Sequence, residues 1–520
     1  MNYSDYLVQS ITWRQVLLIA VLAVPAVGAG VVALFPSRAE RLARIVATGF
    51  AGVTFLLALL LPVGGTLPRG WFSYGTLSIA GSGMLAIPWI DYRVSWVPAL
   101  HVDFHLGVDG VSYPLVVLTA LLTLLCCAYT IWKVPEGGSG RTLVALLLVL
   151  EVGILGTFLA LDLVLFFLFF EVVLLPMYAV IAGWGGDRRR AAARKFVLYT
   201  LFGSVVLLLG VLTVVAAAGT GDLLALHGGA GLSRTTQCVA FALFAVAFAV
   251  KAPLWPLHSW LPDAHTQAPT VGSVILAGVL LKMGTYGLIR IGVGVAPQGA
   301  AWASPALGVL AAAAILAGSL ICLRQTELKR LIAYSSVGHM GFVLLGIATL
   351  TVTGLQAALL GNVAHGLITG LLFFLAGAVK DRTHTGELAE LSGLREAAPR
   401  LAGLLGFAAI ASLGLPGLAG FWGEAFAVVG AVQRGGPLWV TLAVLAAIGG
   451  ALTAAYFLRL LRRVTQGPAT PVVRLASPAI AGAEWLAWAP LIVLVLAVGL
   501  APGLVLVATS TPMLALTGAP

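Results

Sequence analysis

The sequence predicts an all-α, polytopic membrane protein: about fourteen transmembrane helices that form two inverted five-helix repeats, with helices 7 and 12 interrupted. Three observations predict it. First, 60% of the 520 residues are hydrophobic and 9% are charged, whereas ordinary soluble domains carry about 25% charge. Second, a bilayer core of roughly 30 Å takes about 20 apolar residues per helix, and backbone facing lipid must be helical. The stretches that qualify are 13–35, 44–63, 110–132, 141–160, 161–184, 192–217, 235–257, 270–295, 303–323, 327–349, 354–380, 400–433, 438–463 and 485–509. The first follows a short polar N-terminus without a small-residue cleavage site, so it reads as a retained helix and not as a signal peptide. No soluble domain is expected anywhere along the chain.

Third, the positive charges fall on one side. With the N-terminus outside, the inside loops carry 21 Lys and Arg and the outside segments 6, and Lys251 and Lys282 complete the 29. One missed or extra helix would invert every later loop, so this asymmetry supports the count. The net charge of +10 is then mostly topology. Short basic runs such as Arg188-Arg189-Arg190 and Arg462-Arg463 offer no domain to hold a nucleic-acid backbone, and no nucleic-acid partner is expected.

Two spans carry helix breakers at mid-membrane: Val250-Lys251-Ala252-Pro253-Leu254-Trp255-Pro256 in the seventh and Leu413-Gly414-Leu415-Pro416-Gly417-Leu418-Ala419-Gly420 in the twelfth. Pro253 cannot donate to the carbonyl of Ala249, nor Pro256 to that of Ala252, and the freed carbonyls are expected beside Lys251. The interrupted spans are the fourth members of two five-helix blocks, 141–295 and 303–463. Five is odd, so the second block is inverted relative to the first, as in secondary transporters whose sites lie at the repeat interface. Helices 1–3 (residues 1–140), with an aromatic-rich outer-face loop at 64–109, precede the blocks. A C-terminal loop and helix 14 (464–520) follow them.

Six ionisable residues sit near the middle of these spans: Glu171, Lys251, Lys282, His339, His365 and Glu424. A charged side chain at a helix centre costs roughly 2.5–3.5 kcal/mol on insertion scales, so such groups face one another or internal water and mark an ion or proton path. Each also has a structural reading. Glu171 could be a carboxyl bonded to a neighbouring helix, although its apolar neighbours point to Lys251 as its partner. Lys251 could snorkel, but the adjacent break favours a cation at the end of a half-helix. Lys282 is about twelve residues from either span end, too deep for easy snorkelling. His339 and His365 could be satisfied core histidines, and Glu424 a structural acid. Glu151, centred on the fourth span, divides evenly between an auxiliary proton site and a structural contact.

Two charges about 10 Å apart at an effective dielectric of 20 interact by roughly 1.7 kcal/mol, a little over one pKa unit. One proton step therefore retunes the next group, and histidines already titrate near neutrality. Redox chemistry is not expected on this chain. Cys126 and Cys127 are adjacent, Cys238 and Cys322 are isolated, and no iron–sulfur, zinc, dinucleotide or P-loop spacing is present. A membrane transferase is disfavoured because the surface loops hold no paired carboxylates at metal-like spacing.

The stretch KAPLWPLHSWLPDAHTQAPT from Lys251 to Thr270, then Leu281-Lys282-Met283-Gly284 with Tyr286-Gly287, then Leu328-Lys329-Arg330-Leu331-Ile332-Ala333-Tyr334-Ser335-Ser336, resembles the antiporter-like proton-channel subunits of respiratory complex I over roughly residues 105–465. Fourteen spans, no long lateral C-terminal helix, and glutamate at 424 where sister subunits commonly have lysine resemble the subunit M (chain 4) branch. The resemblance implies proton-channel roles for the fifth-helix Glu171, its partner Lys251, the central Lys282, the connecting His339 and His365, and the outlet-side Glu424. It also implies a multi-pass protein of the bacterial inner membrane, assembled with other membrane-arm subunits and sister antiporter-like subunits. FMN, iron–sulfur clusters and quinone would lie in partner subunits. An Mrp-type cation/proton antiporter subunit or a membrane-hydrogenase homologue is the alternative, because the same helices serve each. The loop at 64–109 departs from the family pattern and has no chemistry assigned.

Overall fold

The computed structural model describes residues 11–63, 88–98 and 102–506. In chain order its main elements are α1 (Trp13–Leu34), α2 (Glu40–Leu60), β1 (Ile90–Val97), β2 (Val102–Val108), α3 (Tyr113–Trp132), α4 (Gly140–Leu159), α5 (Leu163–Trp184), α6 (Arg189–Ala218), α7 (Arg234–Lys251), α8 (Trp260–Gln267), α9 (Thr270–Val293), α10 (Pro297–Cys322), α11 (Leu328–Thr349), α12 (Val352–Thr383), α13 (Pro399–Ser412), α14 (Ala419–Arg434), α15 (Gly436–Thr465) and α16 (Gly482–Leu500). Among the described residues thirteen helices are long and apolar enough to cross a membrane. The shorter pair α13 and α14 covers the remaining stretch expected at 400–433.

Hydropathy alone does not sort these helices; burial does. The most apolar windows of α9, α11 and α12 are 94%, 89% and 94% buried, against 33% for α6 and α15. Leu198, Phe202, Val205, Leu209 and Leu212 of α6 and Val440, Val444 and Ile448 of α15 are exposed. Such an apolar perimeter would be an aggregation liability in water and is the expected surface toward lipid. The three central helices carry Lys282, His339 and His365, so these groups lie behind at least one layer of protein.

Both interruptions occur where the breakers stand. α7 stops at Lys251 and α8 starts at Trp260; α13 stops at Ser412 and α14 starts at Ala419. Of the two carbonyls expected to be freed beside Lys251, that of Ala249 is taken by a backbone donor, and the neighbouring carbonyls are taken as well. Ala252 N–H donates to the Phe248 carbonyl at 2.8 Å, Leu254 N–H to Ala249 at 2.9 Å, and the Trp260 indole to Val250 at 3.0 Å. Buried backbone acceptors find donors when any are within reach. A third discontinuity was not expected: the helix of α5 breaks at Val173, two residues after Glu171. Pro176 has no N–H for the carbonyl of Val172, which accounts for it.

Part of the segment expected as an outer-face loop is a hairpin. β1 pairs antiparallel with β2 from Ile90↔Val108 to Val97↔Val102, with a bulge between Ser95 and Val97. Residues 64–87 and 99–101 of that loop lie outside the described residues. Polar clamps hold the hairpin to the outer connections of the bundle. Arg93 reaches Asp103 at 2.5 Å and Asp222 at 2.8 Å, and buried His105 lies 3.3 Å from Asp222 and 3.4 Å from Asp91. Burial alone would raise the Asp222 carboxyl. The His105 ring and the N–H groups of Ala225 and Leu224 outweigh it and hold the group below its ordinary value.

A carboxyl depressed in the folded state contributes stability above the ordinary carboxylate range and loses it as pH falls through the folded value. The hairpin should therefore loosen in acid below about pH 4. Amide exchange over 102–108 checks this, and Asp222→Asn should speed that exchange at neutral pH by the equivalent of about 1–3 kcal/mol.

Candidate proton-relay site

Lys282 sits in a short α-helical stretch of α9 between two π-helical segments, Leu276–Leu280 and Leu288–Val293. A π segment offsets the backbone ladder and re-aims the side chains around it, and such segments are frequent at functional sites. Fully buried, the Lys282 Nζ turns back to the Ala277 carbonyl and lies 2.6 Å from His365 Nδ1 on α12. Thr285, one turn on, donates to Asn362 Oδ1 at 2.9 Å, and Asn362 lies one turn before His365. This second contact fixes α9 against α12 beside the lysine.

With its ammonium protonated, Lys282 donates to His365 Nδ1, so the neutral ring carries its hydrogen on Nε2. His365 Nε2 is buried and has no protein partner. A cavity of about 30 Å³ lies there, lined by His365, His339, Thr369, Ser412 and Glu424. One water needs about 10–15 Å³ on this measure, so the space takes one or two. Beyond it the His339 ring stands 5.9 Å from that of His365, centroid to centroid. His339 Nδ1 meets Glu424 Oε1 at 2.8 Å, and its Nε2 meets the Ser412 hydroxyl at 3.0 Å. Lys282, His365, His339 and Glu424 are thus brought into one row that joins α9, α12, α11 and α14.

The second break borders this row. Gly414 has φ +77°, and a Cβ there would lie 2.9 Å from Glu424 Oε2. Only glycine lets the chain turn so close to the carboxylate.

Three expected residues stand outside the row. The Lys251 ammonium lies 4.4 Å above the centre of the Phe170 ring. Glu171, the next residue after Phe170, makes no direct salt bridge with it but lies within electrostatic reach of its charge, so the two are coupled across a gap and not in contact. A desolvated cation over an aromatic face gains about 2 kcal/mol. Glu171 is half-buried on a rim with exposed Leu168, Val172 and Leu175. The broken end of α7 still touches α9 closely: a Cβ on Gly284 would lie 2.8 Å from both Ala252 N and the Phe248 carbonyl. Movement at Lys251 therefore reaches the backbone two residues from Lys282. Glu151 is fully buried, and neither carboxyl oxygen has a hydrogen-bond partner.

Among the buried groups that sequence reasoning missed are two on α8 and α11. Lys329 of α11 counts as an inside-loop charge, yet it is 5% exposed and donates to the Ala268 carbonyl at 3.1 Å. It lines a cavity of about 690 Å³ on the inside face with Gln267, Thr270, Lys380, Asp381 and His384. His265 of α8 is fully buried, stacks on Phe373 at 4.5 Å, has neither ring nitrogen bonded, and lies within electrostatic reach of both Lys329 and Lys282. The signal for both was present, because each falls inside a motif already singled out.

Residues 160–449 match the family model described as "NADH:quinone oxidoreductase/Mrp antiporter, TM". The chain is 40% identical to the NADH-quinone oxidoreductase subunit M of Rhodobacter capsulatus, over 96% of this chain and 94% of the relative. Among solved structures, a chain of respiratory complex I from Thermus thermophilus with bound NADH superposes with TM-score 0.83 and 31% identity, covering 96% of this chain and 99% of that one. A chain of the Mrp complex from Dietzia sp. DQ12-45-1b gives TM-score 0.82 and 25% identity, covering 97% and 98%.

Gly414→Ala should lower stability by about 1–2 kcal/mol through the positive φ and the approach to Glu424. Ser412→Ala should cost less than about 1 kcal/mol, since one hydroxyl hydrogen bond is lost beside a cavity that can admit water. Thermal unfolding of the two variants side by side checks the order.

Proposed function

The chain belongs to the NADH:quinone oxidoreductase/Mrp antiporter membrane family, and from that premise we propose how its own residues carry protons. It is a proton-translocating membrane subunit of NADH:quinone oxidoreductase, a multi-pass inner-membrane protein that works among other membrane-arm subunits and performs no redox step itself. FMN, iron–sulfur clusters and quinone are assigned to partner subunits, and none to this chain. The observation that carries the mechanism is the contiguous row Lys282, His365, small cavity, His339, Glu424.

In our reading a proton enters from the inside through the large cavity at Lys329, crosses by His265, and loads Lys282. His365 accepts it on Nδ1 and releases the other proton from Nε2, so the imidazole passes one proton without moving. Water in the small cavity carries it to His339, whose ring hands it to Glu424 and the outer half of α14. Two proton transfers through one ring need only a tautomer reset between turnovers. Lys251 and Glu171 sit upstream and set the field at Lys282 through the close contact at Gly284. A carboxyl on the rim beside Leu168 and Val172 is costly against acyl chains, so a neighbouring subunit covers that face. We also read 141–295 and 303–463 as two inverted five-helix units, with 1–140 and 464–520 flanking them, and Glu151 as an auxiliary proton site.

The Mrp-type reading shares the fold. The full-length 40% relative named as an oxidoreductase subunit favours the complex I reading. Cation exchange by the isolated chain without NADH would favour the alternative.

In reconstituted complex, Lys282→Ala should reduce protons moved per NADH oxidised by about ten-fold or more, a barrier change of at least 1.4 kcal/mol. Full pumping would exclude the lysine. Lys329→Ala and His265→Phe should each slow proton uptake from the inside while leaving quinone reduction in the uncoupled complex intact. Pumping at the unmodified rate in both would remove the proposed inlet.

A further inference from the structure

On α9, Lys282, Tyr286 and Arg290 follow at four-residue steps toward the outer face. The backbone rises about 12 Å along the helix axis from Lys282 to Arg290, so a chain of polar groups on this face would be a short route out. A pump that sends protons from Lys282 through His365 to Glu424 must close that route, or the lysine would discharge directly. This inference rests on the relay reading above.

The structure closes it with groups that cannot pass a proton on. Arg290 is largely covered, with its side chain 12% exposed, and pairs with Asp109 Oδ2 at 2.6 Å. Asp109 precedes α3, and its Oδ1 is taken by the N–H groups of Val111 and Ser112, each at 3.0 Å, and by the Ser112 hydroxyl at 3.3 Å. The carboxylate is therefore saturated by donors. Tyr286, which contacts Arg290, commits its hydroxyl hydrogen to the Phe158 carbonyl at 2.9 Å, and the Phe158 ring stands edge-on to it at 5.1 Å. A guanidinium does not give up its proton, and a fixed cation in a narrow polar passage repels another. The charge of Arg290 also reaches the outer connection: burial, and after it the Arg290 charge, hold His227 below its ordinary value. The titratable groups around Arg290 are thus Asp109, Tyr286 and His227.

We propose that the charge of Arg290, held in place by Asp109 beside Tyr286, is an outward proton barrier that keeps Lys282 from discharging to the outside, so that protons leave only through the histidine branch. Arg290 acts here as a positioning charge and not as a carrier.

The test uses the intact complex in proteoliposomes without NADH, with passive proton flux read from a lumenal pH dye under a potassium diffusion potential. Arg290→Gln should raise the conductance by about ten-fold or more, the effect of removing one charge–charge barrier of this size. Arg290→Lys and Asp109→Asn both keep the cation and should stay as tight as the unmodified complex. Arg290→His should be tight in acid and leak increasingly as pH rises and the imidazole loses its charge, a profile that loosened packing would not produce. A tight Arg290→Gln, a leak in Asp109→Asn equal to that in Arg290→Gln, or a pH-independent leak in Arg290→His would overturn the barrier. Adding Lys282→Ala to Arg290→Gln should restore tightness. If Lys282→Ala alone still pumps, the relay reading fails; if it does not pump but Arg290→Gln is tight, only the barrier fails.

Discussion

The contact between Lys282 Nζ and His365 Nδ1, sealed from solvent at 2.6 Å, is the constraint around which the rest is arranged. An ammonium with no solvent needs acceptors, and among the described residues the Ala277 carbonyl and this imidazole supply them. That need explains the π-helical turns on either side of Lys282, which bring the side chain back onto its own helix. It also explains the Thr285–Asn362 bond, which fixes α9 against α12. A lysine bonded to a neutral histidine forces the histidine's remaining hydrogen into the small cavity, and so sets a direction for the row.

Coupling along the row follows from its spacing. Neighbours stand closer than the ~10 Å at which charges already interact by about 1.7 kcal/mol at a dielectric of 20. Loading one group therefore unloads the next, and no large helix movement is required. The two breaks act differently on this row. The second places a glycine turn and the Ser412 hydroxyl against His339 and Glu424. The first delivers the end of α7 against Gly284, where a small shift is felt by the helix that carries Lys282.

The helices and the central row were legible because lipid punishes buried charge. Any Lys, Glu or His in the middle of an apolar run needs a reason, and Lys282, His339, His365 and Glu424 share one. Groups near span ends were not legible in the same way. Lys329 and Arg290 are topologically ordinary cations, and the fold shows Lys329 buried at the inner cavity and Arg290 largely covered and paired with Asp109. Lys251 and Glu171 are coupled electrostatically without a direct salt bridge, because the ammonium sits over the Phe170 ring face instead of on a carboxylate oxygen. The hairpin was hidden among aromatics, although Ile90-Asp91-Tyr92-Arg93-Val94-Ser95 alternates with the period of a strand.

The most direct measurement is a high-resolution electron cryomicroscopy map of the assembled complex in lipid, with attention to the space between His365 and His339. The account predicts one or two ordered waters within hydrogen-bond distance of His365 Nε2 and leading to the His339–Glu424 pair. A dry gap closed by apolar side chains, or acyl chains against Lys282 or His365, would contradict it.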